Sequence, residues 1–143
     1  MELPAEIHDK VDVLSMEGND LMDGENFEAA IERWSQALDL LPEPKVEWEA
    51  YMWLSASIGD ALFHQKNYEH ACNSFMDALN APDGVENPFV HYRLGQCQLK
   101  LGNEALGVES LLKAYMLDGE DIFMAEDDGV SFLKILQDRK LVD

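Results

Sequence analysis

The chain has 143 residues, of which 47% are hydrophobic, so it holds enough apolar material for the core of one globular domain and is not disordered as a whole. It contains 29 Asp and Glu against 10 Lys and Arg, which gives a formal net charge of −19. Such a surface repels nucleic acid and anionic membranes and attracts basic proteins, although acidic residues also serve solubility alone.

The N-terminal segment MELPAEIHDK has no apolar run of signal-peptide length, and no later segment is long and apolar enough for a membrane span. We therefore expect a cytoplasmic protein. Pro4 is placed near the start of a helix that extends the first repeat. Cys72 and Cys97 lie in helical segments without CxxC spacing, which favours packed thiols over a disulfide or a zinc site.

Three segments of the chain align with one another. Their glycines, Gly18, Gly59 and Gly95, recur at intervals of 41 and then 36 residues. Further along, each segment has a small residue, a large apolar residue and an alanine, which are Ala30, Trp34 and Ala37, then Ala71, Phe75 and Ala78, then Gly107, Leu111 and Ala114. A helical repeat of about 34 residues fits these intervals if residues 42–49, which contain Pro, and 81–88, which contain Pro and Gly, lie between repeats.

The glycines predict close contact between the two helices of each repeat. A glycine inside a helix costs about 1 kcal/mol relative to alanine, so its recurrence at one phase indicates a position with no room for a side chain. We expect each glycine to face the aligned small residue, Ala30, Ala71 or Gly107, with the large residue filling the space beside the crossing.

Three asparagines are predicted to cap the second helix of each repeat. A side-chain oxygen at this position accepts a hydrogen bond from an otherwise unpaired backbone N–H. The residues are Asn26, Asn67 and Asn103. An acidic residue follows each of them in the first helical turn, where the helix dipole favours negative charge, namely Glu28, Glu69 and Glu104.

This pattern resembles the tetratricopeptide repeat (TPR) family, although the third repeat departs from it at Gln98, Gly107, Leu111 and Gly119. The resemblance implies an all-α fold of three helix-turn-helix units stacked as a short right-handed α-solenoid, closed by a C-terminal capping helix. The whole chain is expected to form one domain. Its parts are a first repeat at 11–42, a linker at 43–50, repeats at 51–82 and 88–119, and an acidic segment with the capping helix at 120–143.

The residues that enzymes use are scattered along the chain. His64 and His70 lie on either side of a predicted turn, which is not the spacing of a helical zinc site. The acidic runs at 118–121 and 126–129 lack the ligand order of a calcium loop, and Asp127 or Asp128 is predicted instead to cap the terminal helix. With no nucleotide-binding or hydrolase motif either, we predict a protein that is not an enzyme and uses no cofactor or metal.

In the TPR family the first helix of each repeat lines a concave binding face. The resemblance assigns partner binding to Asp12, Asn19, Asp23, Trp53, Asp60, Phe63, His64, Phe89 and Tyr92. Aromatic residues interleaved with acids suit a basic or amphipathic segment of another protein. Trp48 and Tyr51 are expected to serve packing, whereas Trp53 is open to either role.

Some TPR co-chaperones grip an acidic peptide tail with a clamp of basic residues. The resemblance places Asn19 and Arg93 at matching positions, but Ser15, Ser57 and Phe89 stand where the clamp has Lys, Asn and Lys. An acidic groove with this broken clamp is predicted to reject an acidic tail.

Two functions are favoured. The small size, the acidity and the ending AYMLDGEDIF to EDDGVSFLKIL resemble small bacterial TPR proteins associated with polymorphic toxins, which implies an immunity protein that neutralises a basic toxin by binding it. The alternative is a cytosolic adaptor or secretion chaperone that holds a client segment. A regulator or scaffold has no positive support from the residues, and a monomer is favoured in isolation.

Overall fold

A computed structural model describes residues 2–143, and these form helices and no strand. The α-helices are α1 Ala5–Asp23, α2 Phe27–Leu40, α3 Glu49–His64, α4 Tyr68–Leu79, α5 Pro88–Lys100, α6 Glu104–Asp118, α7 Asp121–Met124 and α8 Gly129–Asp138, with a 3-10 turn at Lys45–Glu47. This architecture confirms the predicted all-α fold class.

The chain divides into two compact units, one up to Gly84 and the other Val85–Asp143. The first unit holds the hairpins α1–α2 and α3–α4. The second holds the hairpin α5–α6, followed by α7 and α8.

In each hairpin a large side chain of the second helix lies directly over a glycine of the first. A Cβ atom added to Gly59 would lie 2.9 to 3.0 Å from three neighbouring atoms of the Phe75 ring, which places this glycine over the face of the ring. Nonbonded carbon atoms are most stable about 3.5–4.0 Å apart, so only glycine fits here. The Trp34 indole lies over Gly18 in the same way, with Cδ1 2.6 Å from the position of a Cβ.

The predicted position of the large residue, beside the helix crossing, is therefore wrong. The large residue lies over the glycine itself, and the aligned Ala30 and Ala71 are fully buried. In α5–α6 the two small residues also meet, because a Cβ on Gly95 would lie 3.0 Å from the Gly107 carbonyl oxygen and 2.9 Å from Leu111 Cγ.

The turn within each hairpin has the same geometry all three times. The residue before the asparagine has a positive φ, at Glu25 (61°), Lys66 (63°) and Gly102 (85°). In the first turn Asn26 N donates to Leu21 O at 2.8 Å and Glu25 N donates to Met22 O at 2.9 Å. This pair of bonds is the Schellman motif, which satisfies the last carbonyl groups of the preceding helix.

The asparagines cap with their backbone and not with their side chains, so the predicted side-chain bonds are wrong. Asn26, Asn67 and Asn103 stand at the N-cap positions of α2, α4 and α6, but none makes a side-chain cap bond. Their ψ angles of 70° to 71° lie outside the extended conformation usual for a capping side chain. Asp128, at the N-cap of α8, likewise makes no side-chain cap bond.

The side-chain cap lies at a residue that the sequence pattern did not single out. Asn87 has a ψ of 110°, and its side chain accepts hydrogen bonds from Phe89 N at 3.0 Å and Val90 N at 3.3 Å. Pro88 follows as the first residue of α5, where its lack of an N–H costs nothing.

The C-terminal segment covers the α5–α6 hairpin, as the predicted capping helix requires. Leu133 and Leu136 of α8 and Phe123 of α7 are buried in one cluster with Leu111 and Ala114 of α6. Arg139 at the end of α8 also pairs with Glu104 at the start of α6. Val130, which the pattern placed on the apolar face, is 55% exposed.

We expect Gly59→Ala to lower the free energy of unfolding by about 1–3 kcal/mol, because the added methyl group forces the Phe75 ring out of its rotamer. Urea denaturation measures this change. The control is Gly24→Ala, since Gly24 has a φ of −85° and a Cβ there would meet no atom closer than 3.7 Å. Equal losses in the two variants would contradict the packing of Phe75 on Gly59.

Candidate protein-binding surface

Seven of the nine predicted contact residues lie on the first helices of the two hairpins in the first unit. Those on α1 are Asp12, Asn19 and Asp23, and those on α3 are Trp53, Asp60, Phe63 and His64. All seven are half-buried or exposed, so their side chains are accessible to a partner. We refer to these seven residues as the α1/α3 set.

A cavity of about 630 Å³ opens beside the N-terminal parts of α1 and α3. Its lining consists of two tryptophans, three carboxylates, a histidine and small apolar residues, namely Glu2, Leu3, Ala5, His8, Val11, Asp12, Trp48, Glu49, Ala50 and Trp53. We call it the tryptophan cavity. Two members of the α1/α3 set, Asp12 and Trp53, line it.

The wall of this cavity that precedes α3 is held in place by hydrogen bonds. The indole Nε1 of Trp48 donates to Pro42 O at 2.8 Å. Lys45 Nζ donates to carbonyl groups at the C-terminal end of α2, at 3.1 Å to Asp39 O and 2.7 Å to the O atom of Leu41, the residue after the helix. Trp48 thus serves packing, as expected, and also lines the cavity.

The other end of α3 has a cluster of aromatic rings. The His64 ring stacks on Phe27, with centroids 5.6 Å apart and planes at 11°, and it meets the edge of Phe63. His64 Nε2 also lies 3.5 Å from the Asp60 carboxylate. Phe27, the first residue of α2, was not predicted at this surface, because the resemblance assigns binding residues only to the first helix of each repeat.

Of the two predicted contact residues of the second unit, Tyr92 is buried and Phe89 stays partly accessible. Tyr92 is 1% exposed and packs edge-on against Phe123 and Phe132, so its assignment to a binding face is wrong. The pattern placed it correctly on α5, but α7 and α8 cover that face of the helix. Phe89 is half-buried beneath the Arg93 guanidinium, 5.3 Å from its ring centroid.

Arg93 pairs with a carboxylate of the acidic C-terminal segment. It is 4% exposed and donates two hydrogen bonds to Glu126, at 2.6 and 2.7 Å, and a third to Gln96 Oε1 at 3.0 Å. Such a two-pronged contact is the strongest pairing that a guanidinium makes. The arginine that the resemblance placed at a clamp position is therefore paired with a carboxylate of its own chain.

Burial raises the pKa of several groups away from the α1/α3 set. It is the main cause of the raised pKa of Tyr92, and the Glu126 charge adds to it. Burial likewise raises the pKa of Asp77 and that of the Cys72 thiol, and the raised pKa of Tyr51 reflects burial first and the Asp77 charge second. None of these four residues lines the tryptophan cavity.

Within residues 2–143, no group of three or more His, Cys, Asp or Glu side chains is placed to hold a metal ion. In the same part of the chain, no helix has the length and apolar content that crossing a bilayer requires.

We expect Glu126→Gln to lower the free energy of unfolding by about 1–2 kcal/mol, because the buried guanidinium loses its charged partner while Glu126 itself is partly hydrated. Asp127→Asn is the control, since it neutralises an exposed neighbour. Chemical denaturation of both variants measures the difference. If both variants lose the same free energy of unfolding, the ion pair between Arg93 and Glu126 does not stabilise the packing of the acidic C-terminal segment.

Comparison with known proteins now identifies the repeat. Residues 90–121 match the family model for the tetratricopeptide repeat, and this range covers most of α5 and all of α6. No curated protein matches the chain in sequence.

Solved structures share the fold over nearly the whole chain. The first TPR of Spaghetti (RPAP3), bound to the HSP90 peptide SRMEEVD, has a TM-score of 0.72 at 16% identity, covering 94% of this chain and 95% of that one. MamA has a TM-score of 0.66 at 16% identity, with coverages of 91% and 78%. The Hsp90 co-chaperone Cns1 from Saccharomyces cerevisiae has a TM-score of 0.68 at 19% identity, covering 96% of this chain but 41% of that protein.

At these identities the likeness establishes the fold alone. Together with the matched repeat, it supports the TPR family, and the chain has the fold of a short tetratricopeptide repeat array.

Proposed function

We propose that this chain is a non-enzymatic module that binds a basic segment of another protein through the α1/α3 set. The observation that carries the proposal is the combination of accessible aromatic rings and carboxylates on the first helices of the first unit. Two of these residues, Asp12 and Trp53, line the tryptophan cavity. Aromatic side chains supply contact area, and carboxylates select a cationic partner.

The charge of the protein supports a basic partner. The net charge of −19 accelerates the approach of a cationic protein and repels an anionic one. The Spaghetti structure contains the acidic peptide SRMEEVD, but this chain is poorly suited to such a ligand. Its clamp is incomplete, and Arg93 is already paired with Glu126.

The most specific form of the proposal is an immunity protein that neutralises a basic toxin by direct binding. A strongly anionic inhibitor associates quickly with a cationic enzyme and can block the cleft that its substrate enters. Acidity, small size and the resemblance of the C-terminal segment to toxin-associated TPR proteins favour this form. Its place of action is the cytoplasm, where a toxin would meet its target.

The second form is an adaptor or secretion chaperone that holds a client segment. It is favoured by the structural neighbours, one titled as an Hsp90 co-chaperone and another as bound to an HSP90 peptide. The same surface would serve both forms, since each requires an accessible apolar and acidic face.

We expect co-expression of this chain to rescue bacterial cells from the product of the gene adjacent to its own, because binding the toxin blocks its active site. Cell survival measures rescue, and biolayer interferometry at two salt concentrations measures a complex of nanomolar affinity that weakens as salt rises. A client that becomes soluble without rescue would support the adaptor form. A neighbour that neither binds nor kills would overturn the immunity form.

Two charge reversals locate the interface in that assay. Asp60→Lys changes the α1/α3 set and should slow association about tenfold, whereas Glu32→Lys makes the same charge change on an exposed position of α2 and should slow it about twofold or less. Circular dichroism checks that both variants remain folded. Equal effects of the two reversals would mean that net charge alone, and not the α1/α3 set, guides binding.

A further inference from the structure

We propose that the tryptophan cavity receives an arginine side chain of the partner segment. This inference rests on the proposed function, because it names the group by which a basic partner would be anchored.

The cavity is large enough to admit a long side chain. Its volume of about 630 Å³ falls within the range of about 300–1,000 Å³ that is typical of small-ligand pockets. It lies entirely within the first unit, lined by α1, α3 and the residues that precede each of them. A single long side chain can therefore enter it while its backbone stays on the α1/α3 set.

The aromatic part of the lining suits a planar cation. Trp48 and Trp53 are both half-buried, so part of each indole remains accessible. The bond from Trp48 Nε1 to Pro42 O fixes that ring before any ligand arrives, which reduces the conformational entropy lost on binding. Tryptophan is the aromatic residue that attracts cations most strongly, and a guanidinium also stacks on its face.

The charges of the lining select a cation over a neutral or acidic group. Three lining residues are carboxylates, Glu2, Asp12 and Glu49, and none of the described lining residues is Lys or Arg. His8 is the one basic side chain among them, with Nδ1 3.6 Å from Asp12 Oδ2, and it is 58% exposed. An apolar side chain in the cavity would strip water from these carboxylates without replacing it.

Arginine fits this lining better than lysine. Its guanidinium donates through a planar fork that matches a carboxylate, it is more weakly hydrated than an ammonium, and it keeps its charge at all working pH values. The ammonium group of lysine is compact and strongly hydrated, so it loses more hydration on binding and cannot stack flat on an indole ring. The cavity therefore favours an arginine in the bound segment.

The test titrates the full chain with the capped tripeptide acetyl-Gly-Arg-Gly-amide and follows the three indole N–H signals by nuclear magnetic resonance. We expect the Trp48 and Trp53 signals to shift with a dissociation constant on the order of millimolar, while the signal of Trp34, which is 2% exposed, stays in place. Matched peptides replace Arg with citrulline, Lys or Leu. Citrulline keeps the shape of arginine without its charge and should bind at least about fivefold more weakly.

Two variants make the assignment specific. Asp12→Asn should weaken the arginine peptide about threefold or more, whereas Glu32→Gln on α2 should leave its affinity unchanged. The proposal is overturned if the Trp48 and Trp53 signals do not move. It is equally overturned if the leucine or citrulline peptide binds as well as the arginine peptide, which would indicate an apolar pocket.

The peptide titration needs no partner protein, so its failure is separable from failure of the proposed function. A silent titration, combined with partner binding that Asp60→Lys impairs, would remove the arginine site and leave the module intact. If the arginine peptide binds but no partner protein does, the arginine site is supported and the proposed binding module is not.

Discussion

The structure depends on one contact that recurs in every hairpin, in which a large side chain of the second helix occupies the space over a glycine of the first. The contact pairs Trp34 with Gly18, Phe75 with Gly59, and Leu111 with Gly95. Because a methyl group at any of these glycines would collide with the opposing side chain, the contact fixes how the paired helices rotate and slide against each other. That rotation in turn determines which residues of the first helices point outward.

The position of the α1/α3 set follows from this constraint. With one side of α1 and α3 committed to the second helices, Asp12, Trp53 and Asp60 lie away from that side and stay accessible. The loop before α3 then adds what the repeat alone does not provide. Trp48, held by Pro42, closes the wall of a cavity in which two indoles and three carboxylates come together. The proposed recognition of arginine thus uses residues of the first helices, Asp12 and Trp53, together with Trp48 from the loop between the first two repeats.

Sequence periodicity predicted the helices and the close approach of paired helices at the glycines, because each depends on neighbours at fixed helical spacing. It failed where a side chain contacts residues far away in the sequence, and where a backbone angle determines whether a side-chain hydrogen bond can form. The burial of Tyr92 and the pairing of Arg93 depend on Phe123 and Glu126, which come from a segment outside the repeat pattern. The side-chain cap was expected at the repeated asparagines but lies at Asn87, since of these four asparagines Asn87 alone has an extended backbone, which lets its side chain reach the helix.

The most direct test of the account is the chemical shift of the glycine Hα protons that occupy the Cβ positions facing the rings. Protons over the face of an aromatic ring are shielded. We therefore expect these Hα signals of Gly18 and Gly59 to lie clearly upfield of those of Gly102 and Gly119, where no atom beyond the neighbouring residues in the chain lies within 4 Å of a Cβ position. Gly95, under the aliphatic Leu111, should lack the ring effect. Signals of Gly18 and Gly59 at the position of Gly102 would contradict the packing on which the hairpins and the α1/α3 set depend.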